Sequence, residues 1–247
     1  MAAMLEREFP DPYLSFYLLD EKGALAASRW EHADHEVPIG SLIKPFIAAA
    51  YGRTHTEYPR LRCAGGASCW RPSGHGTLGL AEAIEFSCNA YFQQLAQQLD
   101  SSLALQAMES AGLASHGSGP GKLAGFKAGE EWSAAPASLA WAYWQLAGRS
   151  RESSLRALFQ GMSLATSQGT AKAAGARLHG LPAMAKTGTA PCTHMPKAPG
   201  DGFAVLMAPA DHPRFILLVR MHGKPGAYAA GVAGRMMAAI EGAAPLP

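Results

Sequence analysis

Pro38-Ile39-Gly40-Ser41-Leu42-Ile43-Lys44-Pro45-Phe46 is the stretch from which the rest of the chain is best read. Pro45 lacks the N–H that a helix interior requires, so a helix must begin within about four residues of it. The apolar run that continues to Tyr51 predicts a helix over 41–51, with Ser41 at its N-terminal end. Residues three apart share a helix face, which sets Ser41 beside Lys44. A serine hydroxyl becomes a nucleophile only when a base takes its proton. Lysine can be that base where burial or a nearby cation lowers its pKa. Leu42, Ile43, Pro45 and Phe46 supply apolar surroundings, and a helix N-terminus favours a developing oxyanion.

Two later motifs complete a chemical set: Ser87-Cys88-Asn89 and Lys186-Thr187-Gly188-Thr189. Each is weak alone; read alone, the first is a helix interruption and the second an edge strand with a solubilising lysine. Together with Ser41 and Lys44 they mean more. Ser87 falls where a helical pattern over 80–99 falters, and its hydroxyl can relay a proton from Lys44 while Asn89 bonds a substrate amide. Lys186, Thr187 and Thr189 offer one charge and two hydroxyls to a carboxylate, and Gly188 lets a substrate backbone approach closely. Lys186 also provides a second positive charge to depress the pKa of Lys44.

The remaining pattern places these motifs. Leu14–Leu19 and Ala24–Trp30 flank Asp20-Glu21-Lys22-Gly23 and predict a β-hairpin. Residues 55–79 read as an irregular, glycine-rich loop. Helical segments follow at 80–99, 103–111, 137–146 and 155–164, then extended chain at 180–190. Apolar runs at 202–207 and 215–221 predict a second hairpin, and 227–240 a closing helix of small residues. The expected fold is α+β: an antiparallel five-stranded sheet flanked by helices, built from both chain ends, with an inserted all-helical subdomain. A single domain over 1–247 is expected, its sheet part at 12–52 and 180–245 and its helical part at 53–179.

Composition excludes several classes. With a net charge of +2, 48% hydrophobic and 16% charged residues, the chain is an ordinary globular protein without a basic stripe, so nucleic acid is not an expected partner. No apolar run approaches the roughly 18 residues needed to span a bilayer. The first ten residues contain no apolar core of a signal peptide, so neither export signal nor anchor is expected there.

The motifs and their flanks resemble the transpeptidase domain of class B penicillin-binding proteins, within the superfamily of penicillin-binding proteins and serine β-lactamases. Residues 38–46 are similar to that family's P-G-S-x-x-K-P-F. Gly74-His75-Gly76 and Phe86-Ser87-Cys88-Asn89-Ala90-Tyr91-Phe92 are similar to its G-H-G and S-C-N-x-Y-F. Gly161-Met162, Gly169-Thr170-Ala171 and Ala185–Ala190 follow in the family's order, and the hairpin with Asp211-His212-Pro213 resembles another of its segments. The likeness covers residues 14–241 and is closest to elongation-type members in a minimal form.

The resemblance implies a penicillin-binding D,D-transpeptidase-type acyl-serine enzyme, or a D,D-carboxypeptidase, acting on D-Ala-D-Ala stem peptides of peptidoglycan. It makes Ser41 the acylated nucleophile, Lys44 its base and Ser87 the relay. It makes Asn89, Lys186, Thr187, Gly188 and Thr189 substrate-binding, with the oxyanion held by backbone N–H groups of Ser41 and Thr189. β-Lactams, stem peptides and a membrane or cell-wall partner protein are the implied partners, and the cell envelope or periplasm the implied location. Two other readings stay open. A serine β-lactamase is one, though the chain has no E-x-x-L-N segment of class A and no S-x-V of class D. A non-catalytic module binding muropeptides or β-lactams is the other.

The four cysteines are Cys63, Cys69, Cys88 and Cys192. With His75, the first three make a Cys₃His set suited to a closed tetrahedral zinc site, although the spacing matches no standard finger. A Cys63–Cys69 disulfide and unconnected thiols are the alternatives. The resemblance favours a structural zinc, because some elongation-type members place one beside the active site through the residues matching Cys88 and His75 and two upstream acids, where Cys63 and Cys69 stand here. No metal is implied for the catalytic step. Cys192 reads as a free thiol at the cleft rim, and the remaining histidines as surface residues.

Overall fold

The computed structural model of the chain describes residues 1–115, 132–192 and 200–243. It opens with a helix that the sequence did not signal, α1 (Ala2–Glu8); Leu5 is its one buried residue, too few to show a period. The first hairpin is β1 (Leu14–Leu19) with β2 (Leu25–Arg29). After β3 (Val37–Pro38) come a 3-10 turn over Gly40–Ile43 and α2 (Lys44–Tyr51). The helix expected over 41–51 is thus split at Lys44. Pro45 sits in the first turn of α2, and the residues before it close tighter i→i+3 bonds, Leu42 N to Ile39 O at 3.2 Å and Lys44 N to Ser41 O.

The stretch expected to be an irregular loop contains an antiparallel pair, β4 (Leu61–Cys63) and β5 (Gly76–Leu78), with Cys63 opposite Gly76. Then follow α3 (Leu80–Glu85), α4 (Asn89–Ala96), α5 (Ser101–Glu109), β6 (Ala114–Ser115), β7 (Trp132–Ala134), α6 (Pro136–Gly148), α7 (Arg156–Ser167) and α8 (Lys172–Gly175). The insert at 53–179 is therefore mainly helical and not wholly so, since β4 pairs with β5 and β6 and β7 join β3 in a three-stranded sheet. Strands of two or three residues are too short to display a period of two, which is why the sequence hides them. Residues 116–131 of the insert lie outside the described residues.

The chain closes with β8 (Met184–Ala190), β9 (Asp201–Ala208), β10 (Phe215–Met221) and α9 (Gly226–Ala243). The large sheet has the order β2-β1-β10-β9-β8 and is antiparallel throughout. Alternate residues feed two cores. Phe203, Val205, Met207, Ile216 and Leu218 pack with α2, α4 and α6, whereas Ala204, Leu206, Leu217 and Val219 pack with α9. With both faces covered, these strands read as nearly continuous apolar runs. No described helix is long and apolar enough to cross a membrane.

β8 is an edge strand, and its free edge is covered by the 3-10 turn that carries Ser41. Two glycines permit that approach. A Cβ on Gly40, whose φ is +52°, would stand 2.4 Å from Thr189 O. One on Gly188 would stand 2.9 Å from Ile39 O. The close apposition brings the first and third motifs together.

Candidate active site

Lys44 and Lys186 are both fully buried, on α2 and β8 respectively. Lys44 Nζ donates to Ser87 O at 2.7 Å, to Ser87 Oγ at 3.2 Å and to Asn89 Oδ1 at 2.6 Å. Lys186 Nζ donates to the same Ser87 Oγ at 2.8 Å and to Thr187 O at 2.7 Å. Ser87 Oγ therefore bridges the two amines. The bridge depends on a strained turn between α3 and α4, where Ser87 has φ +51°, a conformation that costs a non-glycine residue roughly 1–3 kcal/mol.

Burial disfavours the charged form of both amines. It lowers the pKa of Lys44 to about 7, against an opposing pull from Cys88 and Cys69. Burial, and then the charge of Lys44, hold Lys186 well below the ordinary lysine range. The depression expected for Lys44 is thus present with desolvation as its chief cause, and the mutual repulsion registers on Lys186. Both amines are thus biased toward the neutral form.

Ser41 is half-buried in the 3-10 turn, where residues i and i+3 eclipse, so the turn sets it over Lys44. Its Oγ has no hydrogen-bond partner among the described residues; Lys44 spends its donors on Ser87 and Asn89. Tyr143, buried in α6, pins the turn by donating to Leu42 O at 2.8 Å, and burial keeps its phenol protonated. Because Asn89 Oδ1 accepts from Lys44, the group it has left for a substrate is its amide N–H. Thr187 Oγ1 donates to Thr170 Oγ1 at 2.8 Å. Thr189 is exposed, and its Oγ1 accepts from Gly226 N at 3.1 Å, which keeps its hydroxyl proton available. Thr170 was given no role by the sequence; its inclusion in the quoted Gly169-Thr170-Ala171 match was the available signal.

The expected metal set also converges. Cys63 ends β4, Cys69 follows a short 3-10 turn, His75 precedes β5 and Cys88 lies between Ser87 and Asn89. All four cysteines are free thiols, so the Cys63–Cys69 disulfide is not formed. Donor atoms of Cys63, Cys69, His75 and Cys88 lie within 4.8 Å of one another. His75 Nδ1 is 3.5 Å from the sulfur of Cys63 and of Cys69, and the sulfurs of Cys69 and Cys88 are 3.9 Å apart. A tetrahedral zinc with Zn–S of about 2.3 Å and Zn–N of about 2.05 Å separates sulfurs by about 3.8 Å and sulfur from nitrogen by about 3.6 Å. The residues fit that ion.

The electrostatics favour ligation at His75 and Cys69 and oppose it at Cys88, whose thiol must lose its proton to an incoming cation. Burial, then Arg71 and Lys44, lower the pKa of His75 and keep its ring neutral. Burial pushes the Cys69 thiol up, but backbone N–H groups of Arg71, Asn89 and Ala90 and the Cys63 side chain outweigh it and leave the thiol below its ordinary range. Burial raises Cys88 to about 12.

Cys192 lies two residues beyond β8 and is half-buried. The expectation that the other histidines are surface residues fails at His222, whose side chain is 16% exposed and bonded through Nδ1 to Asp201 Oδ2 at 3.0 Å. The pair forms because β9 and β10 run in register, which residue spacing does not reveal.

No protein-family model and no curated protein matches this chain. Solved structures do. Pseudomonas aeruginosa PBP2 in complex with WCK 5153 superposes with a TM-score of 0.81 at 18% identity, over 96% of this chain and 76% of that one. The transpeptidase domain of the FtsI4 D,D-transpeptidase from Legionella pneumophila gives 0.69 at 21% identity, over 96% and 92%. Helicobacter pylori PBP2 in complex with MreC gives 0.77 at 15% identity, over 97% and 62%. The chain has the fold of class B penicillin-binding protein transpeptidase domains.

Proposed function

We propose that this protein is a penicillin-binding, acyl-serine enzyme of the D,D-transpeptidase type, acting on D-Ala-D-Ala stem peptides of peptidoglycan. The observation that carries the reading is Ser87 Oγ, held between Lys44 Nζ and Lys186 Nζ beside the Ser41 turn. A surface serine with incidental lysines would not bury both amines completely.

The terminal carboxylate of the donor peptide binds the Thr189 hydroxyl and, once Thr187 Oγ1 turns its proton away from Thr170, the Thr187 hydroxyl, over the buried charge of Lys186, while Asn89 Nδ2 donates to the peptide's amide carbonyl. An anion near Lys186 favours its charged form against the burial that disfavours it, and repulsion then favours neutral Lys44. Neutral Lys44 exchanges one of its contacts for Ser41 Oγ, which catalytic hydrogen bonds commonly do once substrate is bound. Ser41 Oγ attacks the penultimate D-Ala carbonyl carbon as its proton passes to Lys44 Nζ. The oxyanion rests on backbone N–H groups of Ser41 and Thr189. The C–N bond breaks as the proton moves through Ser87 Oγ to the departing amine of D-Ala. An amine of a second stem peptide, or water, then resolves the ester.

Cys63, Cys69, His75 and Cys88 would hold a structural zinc. Such an ion supplies a tetrahedral crosslink between the β4–β5 pair and the turn bearing Ser87, and takes no part in bond making. A cell-envelope location and a membrane or cell-wall partner belong to the same reading.

The test is turnover. With a D-Ala-D-Ala peptide the protein should release D-Ala, and crosslinked product should form when an acceptor amine is supplied; Ser41→Ala should do neither. Rapid multiple turnover of nitrocefin would assign the site to β-lactam hydrolysis, and silence in all three assays would make it a binding module.

A further inference from the structure

Beyond the carboxylate clamp, three strand ends bring together donors that the acyl-transfer chemistry does not use. Cys192 follows β8 by two residues, Asp201 opens β9, and His222 directly follows β10. The register explains the meeting: Ala190 pairs with Asp201 and Gly202 with Met221, so His222 falls beside Asp201. One donor atom each from Cys192, Asp201 and His222 lies within 4.8 Å of the others. We infer that these three residues form a second metal site, separate from the Cys₃His set, that takes one divalent transition-metal ion of borderline softness, such as zinc.

Several features argue for a built site. Asp201 is only 4% exposed, a rare situation for a carboxylate without a fixed role. Gly223 N donates to its Oδ1 at 3.1 Å, and its Oδ2 meets His222 Nδ1 at 3.0 Å, so its orientation is fixed on both sides. The backbone of His222 is tied to Tyr13 O at 3.0 Å, which extends the sheet under the imidazole. A set of one thiolate, one imidazole and one carboxylate suits zinc or cobalt and disfavours magnesium and calcium, which prefer oxygen alone. Among the described residues this set offers three protein ligands, one fewer than the Cys₃His set. Arg220, with Nη2 on Ser15 Oγ at 3.0 Å and its guanidinium 4.5 Å from the Trp30 ring centroid, lies near enough to interact electrostatically with both Asp201 and Cys192.

The position gives the ion a consequence for the clamp. The loop that starts at His222 also supplies Gly226 N to Thr189 Oγ1, so an ion there would fasten the end of β8 to β9 and β10 beside the carboxylate-binding hydroxyl.

The experiment is a cobalt titration of the full chain, following thiolate-to-cobalt absorption, with Cys192→Ser and His222→Gln compared to wild type after near-ultraviolet circular dichroism has shown each variant folded. Both variants are expected to take up one equivalent less than wild type. The reading is a difference, so it is independent of whether the Cys₃His set loads; Cys69→Ser reports on that set separately. Equal uptake by wild type and Cys192→Ser overturns the inference. So does a loss confined to Cys192→Ser with His222→Gln unaffected, which would leave a thiol and no site.

Discussion

Gly40→Ala attacks the site where the structure has least room. The new methyl carbon would stand 2.4 Å from Thr189 O and 3.0 Å from Thr189 C, at a residue with φ +52°. Ordinary contact between these atoms requires at least about 3.2 Å, so the turn and β8 must part by about 0.8 Å. The left-handed backbone adds roughly 1–2 kcal/mol of strain in the native state. Because Ser41 adjoins Gly40 and the two backbone N–H groups proposed as oxyanion donors, those of Ser41 and Thr189, lie one on each side of this contact, the displacement separates the proposed nucleophile from the proposed carboxylate site. Misplacement on the order of 1 Å costs about 100-fold in rate. The assay is the second-order acylation rate with a fluorescent penicillin, read beside thermal unfolding. The expected result is an acylation rate lower by about 100-fold in protein that still unfolds cooperatively. Wild-type acylation in folded Gly40→Ala would refute the claim that this apposition builds the site.

Other outcomes follow from the same geometry. Acylation should rise with pH through about 7 and level off above it, because only neutral Lys44 can take the Ser41 proton. A rate that falls over that range would contradict it. In stability the sign is the same: the pKa of Lys44 is lower folded than unfolded, so the cost of burying it is relieved as pH rises from about 7 toward the ordinary lysine range, as denaturant titrations at several pH values would register. Ser87→Ala removes the bridge between the two amines and should slow acylation by about 100-fold while leaving the fold intact, as measured by the same penicillin assay and circular dichroism. If the proposed zinc is held by the Cys₃His set, metal analysis should find it in wild type and not in Cys69→Ser, with Tm lower by about 6–12 °C, the shift that a loss of about 3 kcal/mol gives in a domain of this size.

Much of this architecture was readable from residues. The hairpins at 14–29 and 201–221 announced themselves through apolar runs joined by polar turns, and Pro45 bounded the start of α2 to within a few residues. The three motifs singled out Ser41, Lys44, Ser87, Asn89 and Lys186, because hydroxyls, amines and an amide are recognisable residue types whose chemistry combines. What stayed hidden had physical reasons. β4 and β5 carry Cys63 and Gly76 where a strand would show alternating apolar residues, since that pair is organised around thiols and an imidazole. The 3-10 turn is invisible because its four residues are as apolar as the helix they precede. Asp201 and His222 are separated along the chain and meet only through strand register, so no spacing rule could join them. The strain at Ser87 is a property of the backbone alone.

The most direct measurement is intact-protein mass spectrometry after incubation with benzylpenicillin, followed by peptide mapping. A gain of one penicilloyl group, located on the peptide containing Ser41 and absent from Ser41→Ala, is the expected result. An unmodified mass for wild type, or a group carried by any other residue, would contradict the assignment of Ser41 as the acylated nucleophile.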